Sequence, residues 1–230
     1  MKILLFGASG DTGRHILKQA VAKGHEVIGA EPHPPAGFAD EYASARIEKV
    51  DLLNDDMSSL FEGCDAVVSA IGLGRDPKTL LDPPPLYTEG AVRMVKAMRR
   101  SGPKRLVVIS AAFVDPDVDI PGWFRGATLP LANIFRQMGD MERILRVADD
   151  IDWTAVRAGW LLDRPFTDDY EVVPDNLPEG CLRTRHADLA DFMLKCIEEG
   201  EWVRQTPCIA RREDDKLETP PALIEELRPS

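Results

Sequence analysis

MKILLFGASGDTG, residues 1–13, is a short apolar run followed by Gly7, Gly10 and Gly13 at intervals of three. Lys2 to Phe6 suits a strand buried on both faces of a parallel sheet. The next stretch, RHILKQAVAK from Arg14 to Lys23, places Ile16, Leu17, Ala20 and Val21 on one face of a helix. EVIGA, Glu26 to Ala30, is then a second strand, and together the three elements make a βαβ unit of about thirty residues. Glycines are needed in such a turn because the backbone must adopt positive φ and approach a pyrophosphate closely. The charge of that group would rest on the free N–H groups that open the helix. Spacing alone matches any Gly-rich turn, but a strand before it and a helix after it point to a dinucleotide loop formed by Gly7, Ser9, Gly10, Asp11, Thr12 and Gly13.

A chain of 230 residues is long enough for one well-buried domain. Lys and Arg number 28 against 39 Asp and Glu, a formal charge of −11, which argues against nucleic acid or an anionic membrane as partner. Cys64, Cys181, Cys196 and Cys208 are scattered without metal-binding or redox spacing, so the expectation is free thiols, no metal and a cytoplasmic location. No apolar run reaches the ~20 residues of a membrane span. The protein is expected to act on a small molecule as a monomer or homodimer.

Glu31 stands eighteen residues past Gly13, directly after the second strand. In this fold an acidic residue near that distance accepts hydrogen bonds from the adenosine ribose, whereas an arginine tolerates a 2′-phosphate. Glu31 therefore favours NAD over NADP, unless it only opens the solvated turn Pro32 to Gly37. A third strand, Ala45 to Val50, leads to Asp51 and Leu52 beside the adenine position. Cys64 to Ile71 is the fourth strand, and Ala70, Ile71 and Gly72 at its carboxyl end should pass under the cofactor, with Arg75 just beyond. A helix from Tyr87 to Arg100 follows. The fifth strand, Lys104 to Ser110, brings Ser110 toward the nicotinamide position, either to donate a hydrogen bond to a ligand or to satisfy local backbone.

Phe113 to Leu131 is irregular and rich in proline and aromatics, and reads as a lid over the substrate. After a helix from Ala132 to Ala148, the sixth strand, Asp152 to Arg157, ends near Trp160. Phe113, Trp123 and Trp160 are the candidate walls of the substrate pocket, although either tryptophan would also serve as core. Short strands are expected at Tyr170 to Val173, Gly180 to Arg183 and Pro207 to Ala210, with a helix from Leu189 to Glu199. His186 suits a cap region better than a catalytic base. The pattern is α/β: a doubly wound parallel sheet in one Rossmann-like domain over residues 1–210, followed by a charged tail, 211–230, weakly ordered or docked through Leu223, Ile224 and Leu227.

Carbonyl reduction on this fold ordinarily uses a tyrosine with a lysine four residues later. The tyrosines here are Tyr42, Tyr87 and Tyr170, and four residues on stand Arg46, Ala91 and Pro174. Hydride transfer, if it occurs, should then draw its proton from solvent or from a modest donor, which suits conjugated acceptors such as flavins, quinones or bilins. A protein that binds NAD(P) and signals its redox state without turnover would lack the same pair.

The segments GASGDTGR, VDLLND, DAVVSAIG, YTEGAVRMVKAM, RLVVISAAF, DWTAVRAGWLLDRP and HADLADFMLKCI together resemble the atypical short-chain dehydrogenases with an NAD(P)-binding NmrA-like fold. Within that group the likeness is to the biliverdin IXβ reductase/flavin reductase branch, over nearly all of residues 1–210. The resemblance implies reduced dinucleotide along Gly7 to Gly13 and Ala70 to Gly72, and reduction of a flavin or planar tetrapyrrole with Ser110 near the nicotinamide. Two positions depart from it. Glu31-Pro32-His33 stands where relatives carry an arginine for the 2′-phosphate, and Trp160 stands where the biliverdin reductase has a histidine.

Overall fold

The computed structural model describes residues 1–73, 78–79 and 82–222. Its centre is an eight-stranded sheet formed by β1 (Lys2–Phe6), β2 (Glu26–Glu31), β3 (Arg46–Lys49), β4 (Ala66–Ser69), β5 (Arg105–Ala111), β6 (Asp152–Ala158), β8 (Glu171–Pro174) and β10 (Pro207–Ala210). In space they run β3-β2-β1-β4-β5-β6-β10-β8, all parallel except β8, which pairs antiparallel with β10. The order reverses at β1, with β2 on one side and β4 on the other. At such a switch point the carboxyl ends of the strands open a crevice for ligand. A small parallel pair, β7 (Trp160–Leu162) with β9 (Arg183–Arg185), sits apart from the sheet.

Side chains alternate along each strand, so β1 feeds both faces. Leu4 and Phe6 pack with Val67, Leu106 and Val108 against the helices α3 (Leu86–Ser101) and α5 (Ala132–Arg146), through Met94, Met98, Met141 and Leu145. Ile3 and Leu5 pack with Val68 and Val107 against α1 (Asp11–Ala22) and α6 (His186–Glu198), through Ile16, Leu17, Leu189 and Met193. Two short helices, α2 (Phe38–Glu41) and α4 (Gly122–Ala127), lie between these elements. Both faces of the sheet are therefore covered, as a parallel sheet requires.

Two expected elements differ. The segment Phe113 to Leu131 is not an irregular lid: it folds into a 3-10 turn (Ala112–Val114), α4 and a second 3-10 turn (Leu129–Leu131), pinned by Phe124, whose side chain is wholly buried. Its prolines set turn geometry while the aromatics supply a core of their own with Trp160 and Leu182. The strand expected at Gly180 to Arg183 starts later, at Arg183, because Gly180 takes φ 70° and turns the chain. The described part of the tail, residues 211–222, continues from β10. Arg211 pairs with Asp169 at 2.8 Å, and buried Glu213 accepts from Arg185 at 2.6 and 2.9 Å and also pairs with Arg211. Leu223, Ile224 and Leu227 lie outside the described residues.

Candidate functional site

A cleft of about 1010 Å³ runs along the carboxyl ends of β1, β2, β4 and β5. At one end is the glycine loop. Gly7 has φ 77°, and a Cβ there would lie 2.7 Å from the Ala70 carbonyl oxygen. At Gly13 a Cβ would stand 1.9 Å from the Gly7 carbonyl oxygen, so helix and loop close on each other only without a side chain. Gly10 is different: its nearest neighbour to an added Cβ is the Gly7 oxygen at 3.5 Å, an ordinary contact, and the residue lines the open cleft. No side chain caps the N-terminus of α1. Its first N–H groups thus present partial positive charge beside a bare glycine, which is the setting a pyrophosphate needs.

Glu31 and Asp51 line the adenosine end with Pro32, Val50 and Leu52. Glu31 is buried, and its carboxylate accepts a short hydrogen bond from the Ser9 backbone N–H, so it ties the loop as well as facing the cleft. The side-chain amide of Asn54, aided by the Leu53 N–H, holds the Asp51 carboxyl below its usual range. Two carboxylates thus stand at this end of the cleft. The floor is Ala70, Ile71 and Gly72. Residues that fit a dinucleotide are thus present in order along the crevice.

The far end is apolar. Phe113, Leu131, Ile134, Phe135, Met138 and Trp160 line it. Ile134 and Met138 are four residues apart on α5, so both face the cleft, and neither carries a proton to give. Trp160 packs edge-on to Phe124, with ring centroids 5.5 Å apart, and walls the chamber without filling it. Trp123 does not line the cleft; it packs edge-on to Phe124, with ring centroids 5.6 Å apart. Arg75 lies outside the described residues.

Ser110 lines the cleft, buried, at the end of β5. Its hydroxyl proton goes to Glu142 Oε1 at 2.8 Å, so the donor expected to face a ligand is already used. Tyr87 also lines the cleft, and burial pushes its hydroxyl up to about 12. A tyrosine and a lysine do meet in the fold: Lys195 Nζ donates to the Tyr170 hydroxyl at 2.9 Å, and that hydroxyl donates to Asp191 at 2.7 Å. The pair lies away from the cleft, and burial raises the Tyr170 pKa rather than lowering it. It is a structural tie. His186, at the head of α6, lines the cleft and is hydrogen-bonded through Nδ1 to Thr12 Oγ1 at 2.7 Å. Sequence periodicity placed it near a helix start but gave no sign that α6 abuts the glycine loop, a contact across 174 positions. Glu142 and Arg157, which form an ion pair at 2.8 Å under the site, read only as helix and strand residues. Among the described residues, no three His, Cys, Asp or Glu side chains gather as a metal site, and no helix is long and apolar enough to cross a membrane.

Residues 7–200 match the family described as NAD(P)H-binding. The chain belongs to that family. Its glycine loop and strand order are those of a Rossmann-like dinucleotide fold. Protein YwnB of Bacillus subtilis (strain 168), itself uncharacterised, is 26% identical over 211 residues, covering 87% of this chain and 92% of its own. The photosystem II assembly factor Ycf39 of Synechocystis is 24% identical across 92% of this chain, which spans 63% of that longer protein. Among solved structures, a Streptococcus pneumoniae protein provisionally named an NADH-flavin reductase superposes with a TM-score of 0.73 at 23% identity, over 92% of this chain and all of its own. That likeness is one of fold.

Proposed function

We propose that this family member is an NAD(P)H-dependent reductase that passes hydride to a planar conjugated acceptor, a flavin, a quinone or a bilin-like tetrapyrrole, with the proton drawn from solvent. One observation carries the reading: a single cleft joins a pyrophosphate-type glycine loop to an apolar aromatic chamber in which Ile134 and Met138 face the space where a proton-donating pair would be needed. Bound dinucleotide supplies the hydride. Gly7 to Gly13 hold its pyrophosphate, Glu31 and Asp51 its adenosine ribose, and Phe113, Phe135 and Trp160 stack the acceptor and exclude water. The name of the S. pneumoniae neighbour supports the same chemistry. The acidic adenosine end favours NADH over NADPH. Four unpaired, buried thiols suit the reducing cytoplasm.

A non-catalytic dinucleotide sensor is the second reading, favoured by the absence of a tyrosine–lysine pair among the described residues that line the cleft and by the assembly-factor name of the Synechocystis relative. The open chamber argues for turnover, since Trp160 lies along its wall and Trp123 is not among its lining residues. Oxidation of NADH and NADPH, followed in parallel with FMN, riboflavin and a quinone, tests the choice. Turnover preferring NADH is expected. Glu31→Gln, which keeps an oxygen for the Ser9 N–H while removing the charge, should narrow that preference. Tight dinucleotide binding without turnover on any acceptor would establish the sensor instead.

A further inference from the structure

We infer that Ser110 serves this site as a hydrogen-bond acceptor, and that buried Glu142 is the positioning residue that makes it one. The inference rests on the dinucleotide-dependent reading of the cleft and specifies which ligand group Ser110 meets. A serine hydroxyl has one proton and two lone pairs, so its direction depends on which partner can only accept. Glu142 is such a partner. Its side chain is 1% exposed, and it takes Arg157 Nε at 3.0 Å on Oε1, Arg157 Nη2 at 2.8 Å on Oε2 and Arg146 Nη2 at 3.1 Å on Oε2. A carboxylate between two guanidinium groups has no proton to return, so the 2.8 Å bond to Ser110 runs from serine to glutamate.

The network is held in place. Arg157 Nη1 donates to the Asp175 carbonyl at 2.8 Å, which fixes the guanidinium that fixes Glu142. Turning the Ser110 proton toward the cleft would strip a buried carboxylate of a donor, a loss larger than a neutral hydrogen bond returns. Ser110 therefore presents lone pairs to the cleft it lines. What meets it must be a hydrogen-bond donor, and we assign that donor as an amide-type N–H. Two sources bring that chemistry: the carboxamide of the nicotinamide, and the ring imide or lactam N–H of a flavin or bilin acceptor. An isolated ketone brings neither, and the serine cannot protonate it.

The two sources separate with paired probes. Binding of NADH and of reduced 3-acetylpyridine adenine dinucleotide, which keeps the carbonyl and lacks the N–H, is followed by quenching of intrinsic tryptophan fluorescence. Lumiflavin and N3-methyl-lumiflavin are compared as acceptors by KM. If the carboxamide is the source, wild type binds NADH roughly 5–10-fold more tightly than the acetyl analogue, and Ser110→Ala abolishes the difference. If the acceptor is the source, the discrimination and its loss appear with the lumiflavin pair instead. Glu142→Gln supplies an amide that can donate to Ser110 and free its proton for the cleft, so it should shrink or invert whichever ratio wild type shows. A merely structural Glu142 would weaken both members of a pair alike and leave the ratio intact, which overturns its positioning role. Ser110→Ala keeps the test valid should Glu142→Gln fail to fold. Equal treatment of both probe pairs by wild type overturns the whole inference. Discrimination in binding without turnover on any acceptor retains it while ending the reductase reading.

Discussion

Gly10 and Gly13 stand three residues apart in one turn, yet alanine meets a different fate at each. At Gly13 the new methyl group would sit 1.9 Å from backbone oxygen, and backbone cannot step aside cheaply. Gly13→Ala should cost about 3 kcal/mol or more, lowering Tm by roughly 6–12 °C. At Gly10 the methyl group enters the cleft and meets only an ordinary contact at 3.5 Å. Gly10→Ala should leave Tm within about 2 °C while raising the NADH Kd by about tenfold or more, because it occupies the approach path of the pyrophosphate. Thermal melts with and without NADH, together with a fluorescence titration, check both. Equal losses of stability in the two variants would mean that Gly10 is there for the turn. The spacing of these glycines is visible in the sequence, but which one serves the fold and which the ligand depends on where the Gly7 carbonyl points.

At the scale of elements, a buried carboxylate, Glu213, joins the Arg211–Asp169 pair in holding the segment after β10. Burial alone would raise the pKa of Glu213, but hydrogen bonds from Arg185 and Arg211 outweigh it and leave the group below its ordinary range. A carboxyl whose pKa is depressed by folding contributes stability that is full above its unfolded value and is lost as pH falls through the folded one. Acidification below about pH 4 should therefore release this segment, seen as new cleavage beyond Ala210 in limited proteolysis. Glu213→Gln should release it at neutral pH and cost about 2–3 kcal/mol, since Arg185 and Arg211 lose their buried partner. Protection of the segment in that variant at neutral pH would show that contacts other than Glu213 dock it. The charged composition after residue 210 suggested weak order; partners at Asp169 and Arg185, more than twenty positions away, supply what composition could not reveal.

For the whole molecule, the cleft draws on β1, β2, β4, β5, α3, α5 and the head of α6, so a dinucleotide there touches both layers of the fold. Ligand that binds only the folded state adds about 2.7 kcal/mol at a hundred times its Kd. NADH at that level should raise Tm by roughly 5–10 °C in a chain of this size. NADPH at the same concentration should do less if Glu31 and Asp51 repel its extra phosphate, and an equal shift would remove the basis for an NAD preference. The sequence by itself determined the strand–turn–helix of residues 2–23, the alternation that buries each strand on both faces and the run of loop residues along the crevice. Those features follow from steric limits and periodicities that act within a few positions. Only the tertiary structure decided that Ser110 spends its proton on Glu142, that Thr12 meets His186, that Trp123 packs on Phe124 while Trp160 walls the chamber, and that Tyr170 and Lys195 pair outside the cleft. A polar group's role is set by its partner, and those partners come from distant segments that only packing brings within a hydrogen bond's reach.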